Sequence, residues 1–146
     1  MLFIYGTLQD AHVLGAVLGR PVDTATLRRA QAPSYRAVSY PGRVYPALVK
    51  TGADAAPGLL LESLSALDLV VLDAFEGEEY RRESITVIVD GLSLIADAYL
   101  PVADIAVDAP TWSLADWTAR HKPAVLGREI GTAAALRQRL SARMPR

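Results

Sequence analysis

A carboxylate set between an aromatic ring and a glycine is a candidate for acid–base chemistry. The stretch Leu72-Asp73-Ala74-Phe75-Glu76-Gly77-Glu78-Glu79-Tyr80-Arg81-Arg82 contains one, at Glu76. Phe75 is expected in the core, and Gly77 lets backbone or ligand come close, so Glu76 is held beside apolar surface. Burial and the acidic neighbours Asp73, Glu78 and Glu79 both act to raise its pKa. A carboxyl that titrates near neutral pH can accept a proton and pass it on. The cluster also lies where a helix should end, and the free carbonyls there already carry partial negative charge. Stability alone would favour Lys or Arg at that end. Arg81 and Arg82 offset part of the charge, and Glu78 and Glu79 read as a solvated face.

A second stretch, Phe3-Ile4-Tyr5-Gly6-Thr7-Leu8, takes an apolar run straight into a glycine turn. Two readings of it stand side by side. Gly6 can simply end a strand with positive φ. Alternatively, the amides of Gly6, Thr7 and Leu8 point outward as a small nest for an anion or a developing oxyanion.

Composition narrows what surrounds these stretches. The 146 residues fit one ordinary domain, which buries a core without staples. A formal charge of −1 argues against a nucleic-acid or anionic-membrane partner. Cysteine is absent, which removes disulfides, thiolate nucleophiles and Cys-based metal sites. The two histidines, His12 and His121, are too far apart for a local metal motif. No apolar run approaches the roughly 20 residues that span a bilayer. Met1 runs directly into an apolar strand without a basic leader, so a soluble, cytoplasmic protein is expected.

The elements that must position the candidates follow from pattern and punctuation. Leu2–Tyr5 reads as a short buried strand. Asp10 caps a helix over Ala11–Leu18 that Gly19 ends. β-leaning pieces follow in Thr24–Val38, interrupted by Pro33, and Ser39–Tyr45 forms a turn or loop. Ala47–Lys50 and Gly58–Leu61 are expected as two short strands flanking a polar turn. Ser65 and Asp68 have capping-box spacing and open a helix to about Phe75, with Gly77 as a left-handed terminator. Asp90-Gly91 between two β-rich runs predicts a hairpin. Ser113 opens a helix through about Arg120, with Leu114 and Trp117 on its apolar side, and a last helix spans about Arg128–Ala142. Many short strands with helices between and after them indicate an α+β domain with a small curved or closed sheet and helices outside it.

Together the two stretches resemble the gamma-glutamylcyclotransferase-like superfamily, especially its AIG2-like branch. The matching residues are Tyr5-Gly6-Thr7-Leu8, Tyr45-Pro46-Ala47, and Leu72 to Gly77 followed by Tyr80 and Arg82. The match covers about the first hundred residues. It implies a small mixed β-barrel, core about 1–101, with C-terminal helices over about 112–143 packed outside. It also implies a cavity at one barrel end, a turn at Tyr5–Leu8 whose amides meet substrate, and Glu76 as the catalytic acid/base. Tyr5 forms a pocket wall in this view, and Tyr80 and Arg82 support the site. The implied reaction turns a γ-glutamyl compound into 5-oxoproline and a free amine, without metal or organic cofactor. The segment after the turn, Gln9-Asp10-Ala11-His12, departs from the small or basic residues common in relatives, so Asp10 must face away as a cap.

Three readings follow. The first is a cyclotransferase acting on a γ-glutamyl amide or amine. The second is a non-catalytic module that binds a small acidic metabolite. The third is an acyl-transfer enzyme of the same fold that removes a γ-glutamyl group. A carboxylate at Glu76 would repel an acidic ligand that lacks an ammonium, which favours an enzyme over the binder. Trp112, Trp117 and the last helix are expected to cover the barrel rather than form a dimer contact, so a monomer is favoured.

Overall fold

The computed structural model describes residues 1–143. The five strands among them are β1 (Leu2–Ile4), β2 (Arg28–Ser39), β3 (Pro46–Leu61), β4 (Tyr80–Val89) and β5 (Leu92–Pro101). The α-helices are α1 (Ala11–Leu18), α2 (Ala66–Glu76), α3 (Leu114–Arg120) and α4 (Lys122–Arg143). The strands curl into a closed barrel in the order β1-β3-β2-β4-β5. Two seams are thin. β5 returns to β1 through the parallel pair Leu2–Asp97 and the bond from the Asp97 amide to the Met1 carbonyl, 2.9 Å. β2 meets β4 through the pair Gln31–Ile88.

Alternation along β1 explains how three residues hold the architecture together. Phe3 and Tyr5 point into the barrel, and Leu2 and Ile4 point outward to the helices, as the two-residue repeat of a strand requires. The barrel interior is rich in alanine: Ala30, Ala32, Ala37, Ala56, Ala96 and Ala98 are all buried there. Small side chains let five strands close around the rings of Phe3 and Tyr5. The helices form the second layer, centred on Val13, Leu14, Val17, Val71, Leu72 and Trp117. Trp117 is fully buried in this layer, and the Trp112 indole donates to the Val44 carbonyl at 2.9 Å. Both tryptophans therefore cover the chain's own core.

Three expectations need correction. The stretch from Pro46 to Leu61 is one strand, not two strands around a turn. β2 pairs with both halves, and residues 51–54 loop out of register opposite Ser34, whose φ is +67°. The interruption thus sits inside a continuous ladder, because pairing on each side holds the chain extended. For the same reason Pro33 does not divide β2. The last helix begins at Lys122, well before Arg128. Pro123 falls in its first turn, where no amide donor is needed, and Gly127 and Gly131 are carried by packing against α1 and α2. The hairpin forms as expected, with Asp90 at φ +51° and Gly91 at φ +77°.

The helices are fastened by one buried acid. Ser65 Oγ accepts from the Asp68 amide and Asp68 accepts from the Ser65 amide, each at 3.0 Å, completing the capping box. Asp68 is 1% exposed and also receives Arg20 of the turn after α1, at 3.0 and 2.9 Å, and Arg137 of α4, at 2.9 Å. Burial alone would raise its pKa. The bonds from Arg20, Ser65 and Arg137 outweigh burial and hold it well below the ordinary 3.8. Asp68→Asn should lower stability at neutral pH by about 1.5–3 kcal/mol, the worth of a hydrogen bond to a charged group. A depressed carboxyl pKa stabilises above its unfolded value, and this contribution is lost as pH falls through the folded one. Urea unfolding of wild type and variant should therefore show the gap shrinking as pH drops below 3.8. A gap that widens in acid would contradict the assignment.

Candidate active site

A cavity of about 180 Å³ opens where β1 ends. That is below the roughly 300–1,000 Å³ typical of drug-sized sites, so it suits a small ligand. Tyr5, Gly6, Thr7 and Leu8 line one side, and Phe75, Glu76, Glu79 and Tyr80 line another. Phe3 and Ile4 of β1, Tyr45 with Pro46, Tyr99 and Glu129 complete it.

Each wall has a local cause. After Ile4 the chain enters a short 3-10 turn at Thr7–Gln9. The turn is closed by the amides of Gln9 and Asp10, bonding to the Gly6 and Thr7 carbonyls at 3.0 Å each. The turn's own bonds thus leave the Gly6, Thr7 and Leu8 amides uncommitted. Gly6 has φ −117°, so positive φ is not its purpose. Its reason is space: a Cβ there would lie 3.0 Å from Pro46 Cγ. Close packing of the turn on Pro46 brings the opening turn beside the start of β3. Tyr5 Oη donates to the Tyr99 carbonyl, and Tyr80 Oη donates to the Pro46 carbonyl, both at 2.5 Å. Asp10 does act as the cap of α1, accepting from the amides of His12 and Val13, and it pairs with Lys122 at 2.6 Å. His12 is exposed and lies outside the cavity.

Glu76 is the last residue of α2. Gly77 follows with φ +73° and ψ −162°, positive as expected but extended rather than left-handed helical. That region is essentially reserved for glycine, and it swings Glu78 and Glu79 into a second short turn. As a residue Glu76 keeps some exposure through the mouth, but protein encloses its carboxyl on nearly every side. Burial first, and the Glu129 carboxylate second, push its pKa up to about 8. Tyr5 is held far above its ordinary value by burial and then by Glu76, so it stays a neutral donor.

Glu79 behaves differently. It is half-buried and lines the cavity, which corrects its reading as a solvated residue. Tyr45 Oη donates to it, and Arg43 lies 3.5 Å away. Burial acts to raise its pKa, but these partners prevail and the net shift is downward. The same environment raises Tyr45 to about 12, through burial and then the bond to Glu79. Glu78 is exposed. Arg82 lies outside the cavity. It joins Asp73 and Asp97, each at 2.9 Å, and Asp73 also accepts from Tyr99 Oη at 2.7 Å. Arg82 therefore ties the last turns of α2 to β4 and β5, behind Glu76.

Comparison with known proteins bears on what this arrangement belongs to. Residues 2–119 match the family model for "Gamma-glutamyl cyclotransferase, AIG2-like". The chain is a member of that family. AIG2-like protein D of Arabidopsis thaliana is 32% identical over 124 residues, covering 82% of this chain and 80% of that protein. AIG2-like protein A of the same plant is 27% identical over 124 residues, covering 83% and 73%. Among solved structures, the solution structure of At5g39720.1 from Arabidopsis thaliana superposes with a TM-score of 0.64 at 25% identity, covering 87% of this chain and 85% of that one. The solution structure of At3g28950.1 reaches 0.66 at 21% identity over 87% and 77%, a likeness of fold alone.

In this AIG2-like chain the structure gathers Tyr5, Gly6, Thr7, Leu8, Glu76 and Tyr80 round one cavity and leaves Arg82 behind it. Sequence reasoning did not single out Tyr45, Tyr99 or Glu129 for the site. Glu129 had one signal. It falls on the α4 stripe that includes Val125 and Ala133, where an acid breaks an apolar face.

The raised pKa of Glu76 has a consequence for stability. Folded, the carboxyl keeps its proton to about pH 8; unfolded, it ionises near 4.5. Between those values the folded state binds more protons, so stability falls as pH rises. Glu76→Gln should escape this loss. Thermal unfolding from pH 4.5 to 8 should show the variant gaining on wild type. Parallel curves would place the Glu76 carboxyl in water.

Proposed function

We propose that this protein is a cyclotransferase that converts a γ-glutamyl amide or amine into 5-oxoproline and the free amine. One observation carries the reading: the enclosed carboxyl of Glu76 shares a small cavity with the opening turn at Tyr5–Leu8. Family membership supports the class of reaction.

The chemistry asks little else of the protein. The substrate's α-amino nitrogen attacks its own γ-carbonyl carbon, and a five-membered ring closes. Nucleophile and electrophile sit in one molecule, so selecting the folded conformer supplies much of the acceleration. The nitrogen must first lose a proton. An α-amino group titrates near about 7.7–8.0, and Glu76 titrates near about 8, so the transfer is almost level. An ordinary glutamate near about 4.3 would face an uphill step of about 5 kcal/mol, at 1.36 kcal/mol per pKa unit. As the tetrahedral intermediate collapses, its C–N bond to the leaving group breaks. Glu76 returns the proton to that nitrogen, the amine departs neutral, and the freed carboxylate takes the second proton of the ring nitrogen and releases it to solvent. The amides of Gly6, Thr7 and Leu8 serve the substrate carboxylate or the tetrahedral oxyanion. Tyr5, pinned by Tyr99, forms a wall. Every step uses side chains and backbone, with no metal or organic cofactor.

The binder reading fits less well. No Lys, Arg or His among the described residues lines the cavity, and three glutamates do, so a purely acidic ligand meets repulsion. The deprotection reading uses the same groups but delivers water to the carbonyl, releasing glutamate.

The product separates these readings. Wild type incubated with a panel of γ-glutamyl amines and γ-glutamyl amino acids should release 5-oxoproline, detected by mass spectrometry. Glu76→Gln should lower turnover by about 10²–10⁴-fold, the usual worth of general acid–base catalysis, with its circular dichroism unchanged. Glutamate as the product would select deprotection. Equal turnover in both proteins would remove Glu76 from the mechanism.

A further inference from the structure

We infer that Glu129 of α4 is the ammonium-holding residue of the cavity, accepting from the ligand's protonated amine beside Glu76 and selecting ligands that carry one. This inference rests on the cyclotransferase reading for the identity of the ligand, and it adds a binding residue from the C-terminal helix.

Three observations carry it. First, Glu129 lines the same cavity as Glu76, although it comes from α4 and Glu76 from α2. Second, Glu129 Oε2 is buried without a hydrogen-bond partner among the described residues. A buried acceptor with nothing to accept from is costly, more so when it is charged, and a ligand donor relieves that cost. Third, the other acids nearby are already matched. Glu79 has Tyr45 and Arg43, and Asp10 has Lys122 together with two helix amides. Among the described residues, no cationic side chain stands beside Glu76 and Glu129 in the cavity wall.

The groups that face this pair come from every surrounding element. Tyr5 stands at the end of β1, Tyr80 on β4, Tyr99 on β5 and Glu79 in the turn after α2. Asp10 approaches from the start of α1, and Arg128 adjoins on α4 itself. The three tyrosines are held neutral, each chiefly by burial. Burial and then the Asp10 charge raise the pKa of Glu129, with Arg128 in partial opposition. The cavity therefore resists holding two carboxylates at once. An ammonium placed between them removes the repulsion and favours the charged form of both. Glu129 can then hold the nitrogen while Glu76 takes one of its protons. A ligand without an ammonium gains nothing from this arrangement.

Binding measured without turnover tests the idea. In a Glu76→Gln background, glutamic acid γ-ethylamide is compared by calorimetry with N-ethylglutaramic acid, which is the same molecule lacking the α-amino group. The first should bind at least 10-fold tighter. Adding Glu129→Gln should erase the ratio, with the second compound bound equally well by both proteins. A ratio that survives the second substitution overturns the role of Glu129, as does the absence of any ratio. In the parental enzyme, Glu129→Gln should raise KM at least 10-fold with a smaller change in kcat. It should also move the acidic limb of kcat/KM to lower pH, because Glu76 loses a repelling neighbour. A Glu129 that only repels Glu76 would move that limb but leave KM in place. Production of 5-oxoproline with unchanged KM and pH profile in Glu129→Gln would sink this inference and leave the cyclotransferase reading standing. If neither compound binds and no 5-oxoproline forms, both fall.

Discussion

A carboxyl kept away from water at the wrong end of a helix is the constraint around which this molecule is organised. The C-terminus of α2 repels negative charge, and so does a low-dielectric cavity. Neither repulsion is relieved by a cation beside Glu76. The position is therefore unfavourable by itself and has to be imposed by its surroundings. The capping box at Ser65 fixes where α2 starts, and Val71 and Leu72 bury its inner face. Arg82 and Tyr99 grip Asp73, one turn before Glu76. Gly77 then turns the chain away through a conformation that few other residues adopt. Charge that would stabilise the helix end has been placed on Arg82, one layer behind the cavity, rather than inside it.

The opposite wall is built by close approach. The turn after β1 reaches Pro46 so closely that a Cβ at position 6 would press on its ring, 3.0 Å from Cγ. Tyr5 and Tyr80 each spend their hydroxyl on a backbone carbonyl, of Tyr99 and Pro46. These two bonds tie the rings to neighbouring strands, and each hydroxyl proton is committed to a carbonyl.

Local signals in the sequence carried much of this arrangement. The acid between Phe75 and Gly77, the Ser65 box and the Asp90-Gly91 turn each follow from interactions within a few residues. The strand from Pro46 to Leu61 did not, because what keeps residues 51–54 from forming a turn is β2 pairing on both sides. Gly6 is favoured by Pro46, forty positions away, and not by its own φ. Glu79 looks solvated until Tyr45 and Arg43 are seen to hold it. Glu129 depends on where α4 begins and on how Asp68 draws Arg20 and Arg137 together. Each of these is a tertiary fact. No window along the chain contains both partners.

Glu129 stands past residue 119, where the match to the family model stops, yet it forms part of the cavity wall. The barrel and α2 bring Tyr5 and Glu76, and the tail contributes a separate piece of the lining. A substitution in that tail alters the lining of the cavity without touching the strand that carries Tyr5 or the helix that carries Glu76.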